Sequence, residues 1–325
     1  MKTRQIKILE TTLREGVQAP GVSMSANEKV KVALALEELG VDRIECGFPV
    51  ASEDQMNSVR QVALKVKKAT VVGMARCVNT DIDAVAKAFD KVDNKMLHLF
   101  LAVSPIHRNY KLKMSRQEIL DKIYDSICYG KQYFSEIEYT PEDASRTEPD
   151  FLIEAVTIAI HAGATIINIP DTVGYAIPSE FGLLIRHLKN EIPEIDAGGI
   201  ELSVHCHNDL GLALANSLEG IENGAVQVET TLNGLGERAG NCALEELVMA
   251  MHVRKNFLNY DAGINLERLF ATSQLLQKLT GFKVASNKPL FGDHVFTHAS
   301  PIHQDGYKKK KETYEIFDPK IIGRE

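Results

Sequence analysis

The chain has 325 residues, 44% apolar and 25% charged, and its 37 Lys and Arg against 44 Asp and Glu leave a formal charge of −7. That length buries a large core, as one αβ barrel or two ordinary domains, and without a basic excess to neutralise phosphates the expected partners are small molecules, not nucleic acid. The five cysteines, Cys46, Cys77, Cys128, Cys206 and Cys242, contain no CxxC, which excludes a disulfide framework and a zinc knuckle; with no apolar run of about 18 residues and no signal-type leader, we expect a reduced, cytoplasmic protein without membrane contact.

In chain order, short β-like runs alternate with helical patterns every 25 to 40 residues or so, the pattern of βα units around a parallel sheet. The predicted strands are Ile6–Thr11, Asp42–Gly47, Thr70–Ala75, Met96–Ala102, Glu136–Thr140, Thr165–Ile169, Leu202–His205 and Gln227–Leu232. Between them, Ala26–Leu39 carries apolar residues at helical spacing behind the capping-box pattern Ser25-Ala-Asn-Glu28, and Ser115 and Ser179 read as further helix caps. Eight such repeats predict an α/β fold, a TIM (β/α)8 barrel. Residues 1–258 are expected to form it. After Arg254 the alternation stops, so residues 259–325 should be a linker and a small, mobile C-terminal subdomain of helical and irregular structure, with one helix near Leu266–Leu279.

In a barrel the chemistry comes from the carboxyl ends of the strands. Those ends carry Arg14 and Glu15, then Glu45, His98, Thr140 and Glu142, Asp171 and Thr172, His205 and His207, and finally Asn233, Glu237 and Asn241. His205 and His207, two apart on a strand, leave the same face. Singly each group has a structural explanation: an ion pair for Arg14, Glu15 and Glu45, a cap for Thr172, a flexible turn for the loop 233–241. Jointly a carboxylate, two imidazoles and an amide oxygen suit a divalent ion, Mn²⁺, Zn²⁺, Co²⁺ or Mg²⁺, with water positions open to a substrate. Arg14 would add fixed positive charge for an enolate or alkoxide oxygen, which favours carbon–carbon bond chemistry over redox chemistry. The glycines of Gly234-Leu-Gly236-Glu-Arg-Ala-Gly240 do not match a dinucleotide fingerprint, and leave a weak indication of a pantetheine or phosphate cradle. Cys206, between the two histidines, should face away from them, and Met74 and Met96 read as core filler.

The motifs Thr11-Thr-Leu-Arg14-Glu15-Gly16, Asp42-Arg-Ile-Glu45-Cys-Gly47-Phe-Pro, Asn168-Ile-Pro-Asp-Thr-Val-Gly174, His205-Cys-His-Asn-Asp-Leu-Gly211 and Asn233-Gly-Leu-Gly-Glu-Arg-Ala-Gly-Asn241 closely resemble the 2-isopropylmalate synthases. That family belongs with the homocitrate and citramalate synthases and the hydroxymethylglutaryl-CoA lyases in a metal-dependent barrel superfamily. The resemblance extends to Ser104-Pro-Ile-His107 and to His303-Gln-Asp-Gly306 with Tyr314. It implies an acyltransferase that condenses acetyl-CoA, as co-substrate, with a 2-oxo acid, and a TIM barrel in which Glu15, His205 and His207 bind the metal with Asn241 ligating or orienting it. It implies further that Arg14 steadies the enolate, that His98, Glu142 and Thr172 line the oxo-acid pocket beside Glu45 and Thr140, and that Glu237 is an acid–base group. His303 and Tyr314 would act in the partner subunit's site of a homodimer.

Four positions depart from the family's usual pattern: Glu15 and Glu10 for Asp, Val17 for Glu, and Pro301 for Gly. The carboxylate lost at Val17 is expected to alter substrate choice near the metal, and Pro301 to stiffen or displace the approach to His303. No leucine-binding regulatory domain is expected within residues 259–325, hence no leucine feedback. The leading substrate is 2-oxoisovalerate. The alternatives are a homocitrate- or citramalate-type synthase using another 2-oxo acid, and a catalytically inactive paralogue that still binds metal and oxo acid.

Overall fold

The structure, a computed structural model, describes residues 3–197 and 199–325. Eight parallel strands close a barrel: β1 Lys7–Glu10, β2 Arg43–Gly47, β3 Thr70–Arg76, β4 Lys95–Ala102, β5 Glu136–Glu142, β6 Ile166–Asp171, β7 Glu201–Cys206 and β8 Gln227–Thr230, with β8 pairing back to β1. All eight predicted strands form, with ends displaced by a residue or two. A strand buried on both faces is recognisable as a short apolar run, but only the ladder decides where pairing stops. Helices α1 Ala26–Leu39, α2 Glu53–Lys65, α3 Asn79–Ala88, α4 Arg116–Gly130, α5 Pro149–Ala162, α6 Pro178–Glu191, α7 Ala213–Glu222 and α8 Leu244–Val253 surround the barrel. The main core lies between sheet and helices, and Cys206 joins it, facing away from the barrel axis as expected.

The capping reasoning holds at two of three helices. Ser25 and Ser115 accept from the backbone of Glu28 and Glu118, whose carboxylates return to the serine N–H. Ser179 does not cap α6, because the helix already begins at Pro178, a residue suited to the first helical position, behind an extended Ile177.

Inside the barrel the lower part is apolar and the upper part polar. Leu9, Val72, Met96 and Ile166 form a small dry cluster. Two residues further along β3, β4 and β6, strand alternation turns Met74, His98 and Asn168 into the same interior, toward the carboxyl ends.

Beyond α8 the chain returns beneath the barrel, where Tyr260–Asp261 pairs in parallel with Arg4–Gln5. Helix α9 Leu269–Thr280 follows a 3-10 turn at Leu266–Arg268, and α10 Pro301–Lys309 follows an irregular stretch. The tail is docked: Leu290, Phe291 and Ile322 are buried and Phe291 packs on Phe270 of α9. Pro301 opens α10 at its first turn, a position that needs no N–H, so it nucleates the helix that carries His303. The lysines 308–311 lie exposed at the end of α10 and just after it.

Candidate active site

Six of the eight strands, and the loop after β1, send side chains to a cavity of about 330 Å³ at the carboxyl end of the barrel, the face on which barrel enzymes build their sites. Glu15, His205 and His207 converge there, each offering one ligand atom, all within 4.8 Å of one another and all buried. The two imidazoles point Nε2 to Nε2 at 3.1 Å, and Glu15 Oε1 lies 3.6 Å from His207 Nε2.

The two imidazoles are shifted in opposite directions. Burial, and then the neighbouring His205, hold His207 down to about 3, so it is a neutral imidazole with a free lone pair. At His205 burial acts downward, but the Glu229 carboxylate outweighs it and lifts the ring; Glu229 Oε2 sits 2.8 Å from Nδ1, which fixes the proton there and leaves Nε2 facing the site. Glu15, although buried, is held below the usual carboxylate range by Arg14 and the two histidines.

Asn241 stands behind the pair, its Nδ2 3.3 Å from His205 Nε2 and 3.4 Å from His207 Nε2. Its Oδ1 is buried without a partner. Amide nitrogen and oxygen are interchangeable by rotation, and turning the group over would satisfy the arrangement with a cation among the four residues. The donor set fits a divalent ion.

The loop around Asn241 is as tight as its glycines require. A Cβ on Gly236 would lie 1.9 Å from Asn241 Oδ1, and one on Gly240, at φ +85°, the same distance from the Gly234 carbonyl. The glycines therefore fold the loop onto itself and onto Asn241. The expectation of a phosphate or pantetheine cradle gives way to that packing.

Arg14 lies beside the group of Glu15, His205 and His207, bound to Glu15, to Glu45 at 2.5 Å and, at 3.8 Å, to Glu229. Burial opposes its charge, but these carboxylates keep it protonated. Glu45 is fully buried and also faces His98, its Oε1 2.7 Å from Nδ1, while His98 Nε2 lies 2.7 Å from Thr140 Oγ1. Burial would strip the His98 proton, yet Glu45 outweighs it and lifts the ring to about 9. Thr140, Glu142, Thr172 and Glu237 all line the cavity. Glu142 is bonded to Lys111 on the π-helical turn His107–Leu112.

His303 and Tyr314 are not in this cavity; they stack at 4.0 Å between centroids within the tail. Val17 is half-buried and the neighbouring Gln18, not Val17, lines the cavity. Glu10 points out of the barrel interior, accepting from Thr12 and from the Leu232 N–H, so its carboxylate does not join Glu15, His205 and His207. Met74, read as filler, lines the cavity with Phe100 and Pro170.

Sequence reasoning also missed Glu229 and the pair Arg238–Asp209. Gln227-x-Glu229 on a barrel strand is a period-2 polar pattern, which could have marked both residues as inward-facing. Arg238 donates to both Asp209 oxygens, at 2.8 and 3.0 Å, and to the Thr172 carbonyl at 2.8 Å, tying three loops together at the rim.

The HMGL-like family model matches residues 5–276, most of the chain, and the "homocitrate synthase post-HMGL domain-like" model matches residues 290–325. A 2-isopropylmalate synthase of Sediminispirochaeta smaragdinae is 58% identical over 321 residues, 99% of this chain and 64% of that protein. A 2-isopropylmalate synthase of Caldanaerobacter subterraneus subsp. tengcongensis is 48% identical over 99% of this chain and 81% of its own length. The chain belongs to the 2-isopropylmalate synthase family. It spans less than two thirds of several of these synthases, 62% of the one from Brevibacillus brevis, for example. Among solved structures, a hydroxymethylglutaryl-CoA lyase from Pseudomonas aeruginosa superposes with a TM-score of 0.74 at 18% identity, covering 89% of this chain and 97% of the lyase, a likeness of fold. The synthase motifs thus sit on a barrel shared with lyases, with Glu15, His205, His207 and Arg14 at its mouth. Among the described residues no helix is long and apolar enough to cross a membrane.

Proposed function

We propose that this chain condenses acetyl-CoA with a 2-oxo acid, with 2-oxoisovalerate as substrate and 2-isopropylmalate and CoA as products, a step of leucine biosynthesis. The observation that carries the reading is the convergence of Glu15, His205 and His207 beside the buried Arg14 guanidinium at the mouth of the barrel. Residues 1–258 serve as the catalytic barrel and residues 259–325 as its subdomain.

Glu15, His205 and His207 would hold a divalent ion, Mn²⁺, Zn²⁺, Co²⁺ or Mg²⁺, with Asn241 ligating or orienting it. Such an ion supplies a Lewis acid toward the keto and carboxylate oxygens of the oxo acid. The remaining work belongs to side chains. Arg14, fixed by Glu45 and Glu15, stabilises negative charge on the enolate oxygen of acetyl-CoA. Thr140, Glu142 and Thr172 line the oxo-acid space with His98, whose charge faces the substrate carboxylate. Glu237, half-buried at the rim, is the acid–base candidate. The methyl carbon of acetyl-CoA gives its proton to a base and bonds to the keto carbon, whose oxygen takes up a proton; water then cleaves the thioester, releasing CoA as the thiol.

Met74, Phe100 and Pro170 give the cavity apolar wall, which favours an isopropyl group over the second carboxylate of 2-oxoglutarate. His303 and Tyr314, exposed and remote from their own cavity, serve the partner subunit's site in a homodimer. The five cysteines are all free, which supports a cytoplasmic setting. The test is product identification by mass spectrometry across a panel of 2-oxo acids. 2-Isopropylmalate formed preferentially from 2-oxoisovalerate supports the assignment, and product formed only from pyruvate or 2-oxoglutarate moves it to the citramalate or homocitrate type.

A further inference from the structure

The loop after β8 carries Asn241 and Glu237, and part of what holds it comes from beyond the barrel. Its first residues turn at Asn233, whose backbone is left-handed at φ +64°, a conformation that asparagine tolerates but that needs support. Both polar ends of Asn233 are engaged. Its N–H donates to Glu245 Oε2 at 3.0 Å, and its side-chain Oδ1 accepts from Ser273 Oγ, on α9, at 2.6 Å. Ser273 and Glu245 are fully buried.

Glu245 in turn faces a cation. Lys288, in the irregular stretch after α9, places Nζ 3.2 Å from Glu245 Oε1 and also binds Glu246. The same ammonium lies beside Gly234, 3.8 Å from where a Cβ would stand. Gly234 closes the loop, since its carbonyl accepts from the Asn241 N–H at 3.1 Å. A chain of direct contacts therefore runs from Lys288 and Ser273 through Glu245, Asn233 and Gly234 to Asn241.

We propose that Ser273 and Lys288 are positioning residues for the metal group: the segment after the barrel clamps the 233–241 loop in the shape that presents Asn241 to His205 and His207. The inference rests on the metal reading above. Removing Lys288 leaves the buried Glu245 carboxylate without its cation, and removing Ser273 frees the Asn233 side chain; both changes loosen the loop. The helix itself is held to the core by Leu244, Leu247, Val248, Met249 and Met251, so the damage is local. Supporting residues of this kind change metal affinity by about 10- to 100-fold when lost.

The test uses the full chain, stripped with chelator and titrated with Mn²⁺ by calorimetry, with circular dichroism recorded on each metal-free protein. Lys288→Met and the milder Ser273→Ala are expected to weaken Mn²⁺ binding by about tenfold or more while the helical signal is unchanged. Lys288→Arg is expected to restore affinity, and Lys283→Met, altering a tail lysine outside the contact chain, to leave it unchanged. If Lys288→Met does not fold, Ser273→Ala decides. Affinity within twofold of the unaltered protein in the folded variants overturns the inference and leaves the metal reading intact; no Mn²⁺ binding by the unaltered protein overturns both.

Discussion

The Nε2 atoms of His205 and His207 face each other at 3.1 Å, their rings inclined at 66°. At that distance either one nitrogen donates to the other or something positive lies between or beside them, and the Glu229 carboxylate, 2.8 Å from His205 Nδ1, holds a proton on the far nitrogen of that ring. Glu229→Gln keeps the shape but removes that control. We expect Mn²⁺ affinity to fall by about 10- to 100-fold, read by titration calorimetry; unchanged affinity would show that Glu229 does not set the tautomer.

The Glu45–His98 pair makes a pH prediction with a definite sign. His98 is raised by Glu45 from 6.5 to about 9, against its burial, and Glu45 stays ionised across that range because Arg14 and His98 together outweigh its own burial. A histidine raised on folding contributes its stability fully below about pH 6.5 and loses it as the pH climbs to about 9. The stability gap between the unaltered protein and His98→Gln should therefore narrow from pH 6 toward pH 9.5 in urea denaturation. The His98 ring resonance should titrate near 9, and a midpoint below 7 would contradict the charged state.

Met74 projects from β3 into the cavity. Met74→Ala should enlarge the space beside the oxo acid and shift kcat/KM toward substrates one carbon larger than 2-oxoisovalerate. One methylene is worth about 1–3 kcal/mol in such a pocket, so the preference should move by roughly tenfold. An unchanged ratio would place the substrate side chain elsewhere.

If His303 works in the partner's site, two dead variants should rescue one another. His205→Ala and His303→Ala, each inactive alone, should on mixing and re-equilibration recover about a quarter of normal activity, since half the dimers are mixed and one of their two sites is complete. No recovery, with subunit exchange verified, would place His303 in its own subunit's chemistry or outside catalysis.

The sequence reading succeeded where a signal was local and failed where it was not. The eight strands, the capping boxes at Ser25 and Ser115 and the same-face pair His205-x-His207 depend on spacing within a few residues, and each survives in the structure. Ser179 failed because the proline before it starts the helix one residue sooner. Glu229 was passed over because its importance comes from strand pairing across the barrel, which sets it beside His205 on β7 and, through the β8–β1 closure, near Arg14; Met74 was passed over because a methionine reads as core filler until the barrel interior is seen. Lys288 is the extreme case: a lysine in an irregular tail whose partners, Glu245 and Glu246, lie some forty residues earlier. The roles proposed for Glu237, His303 and Tyr314 rest on family resemblance, and the geometry adds only their positions.

The measurement that tests the central claim most directly is thiol release: the purified protein with Mn²⁺, acetyl-CoA and 2-oxoisovalerate, run beside His205→Ala. Free CoA that depends on both the oxo acid and the metal, and that falls to background in His205→Ala, is the expected result. CoA release that persists in His205→Ala, or silence in the unaltered protein while Mn²⁺ is bound, would contradict the assignment of catalysis to the Glu15, His205 and His207 group.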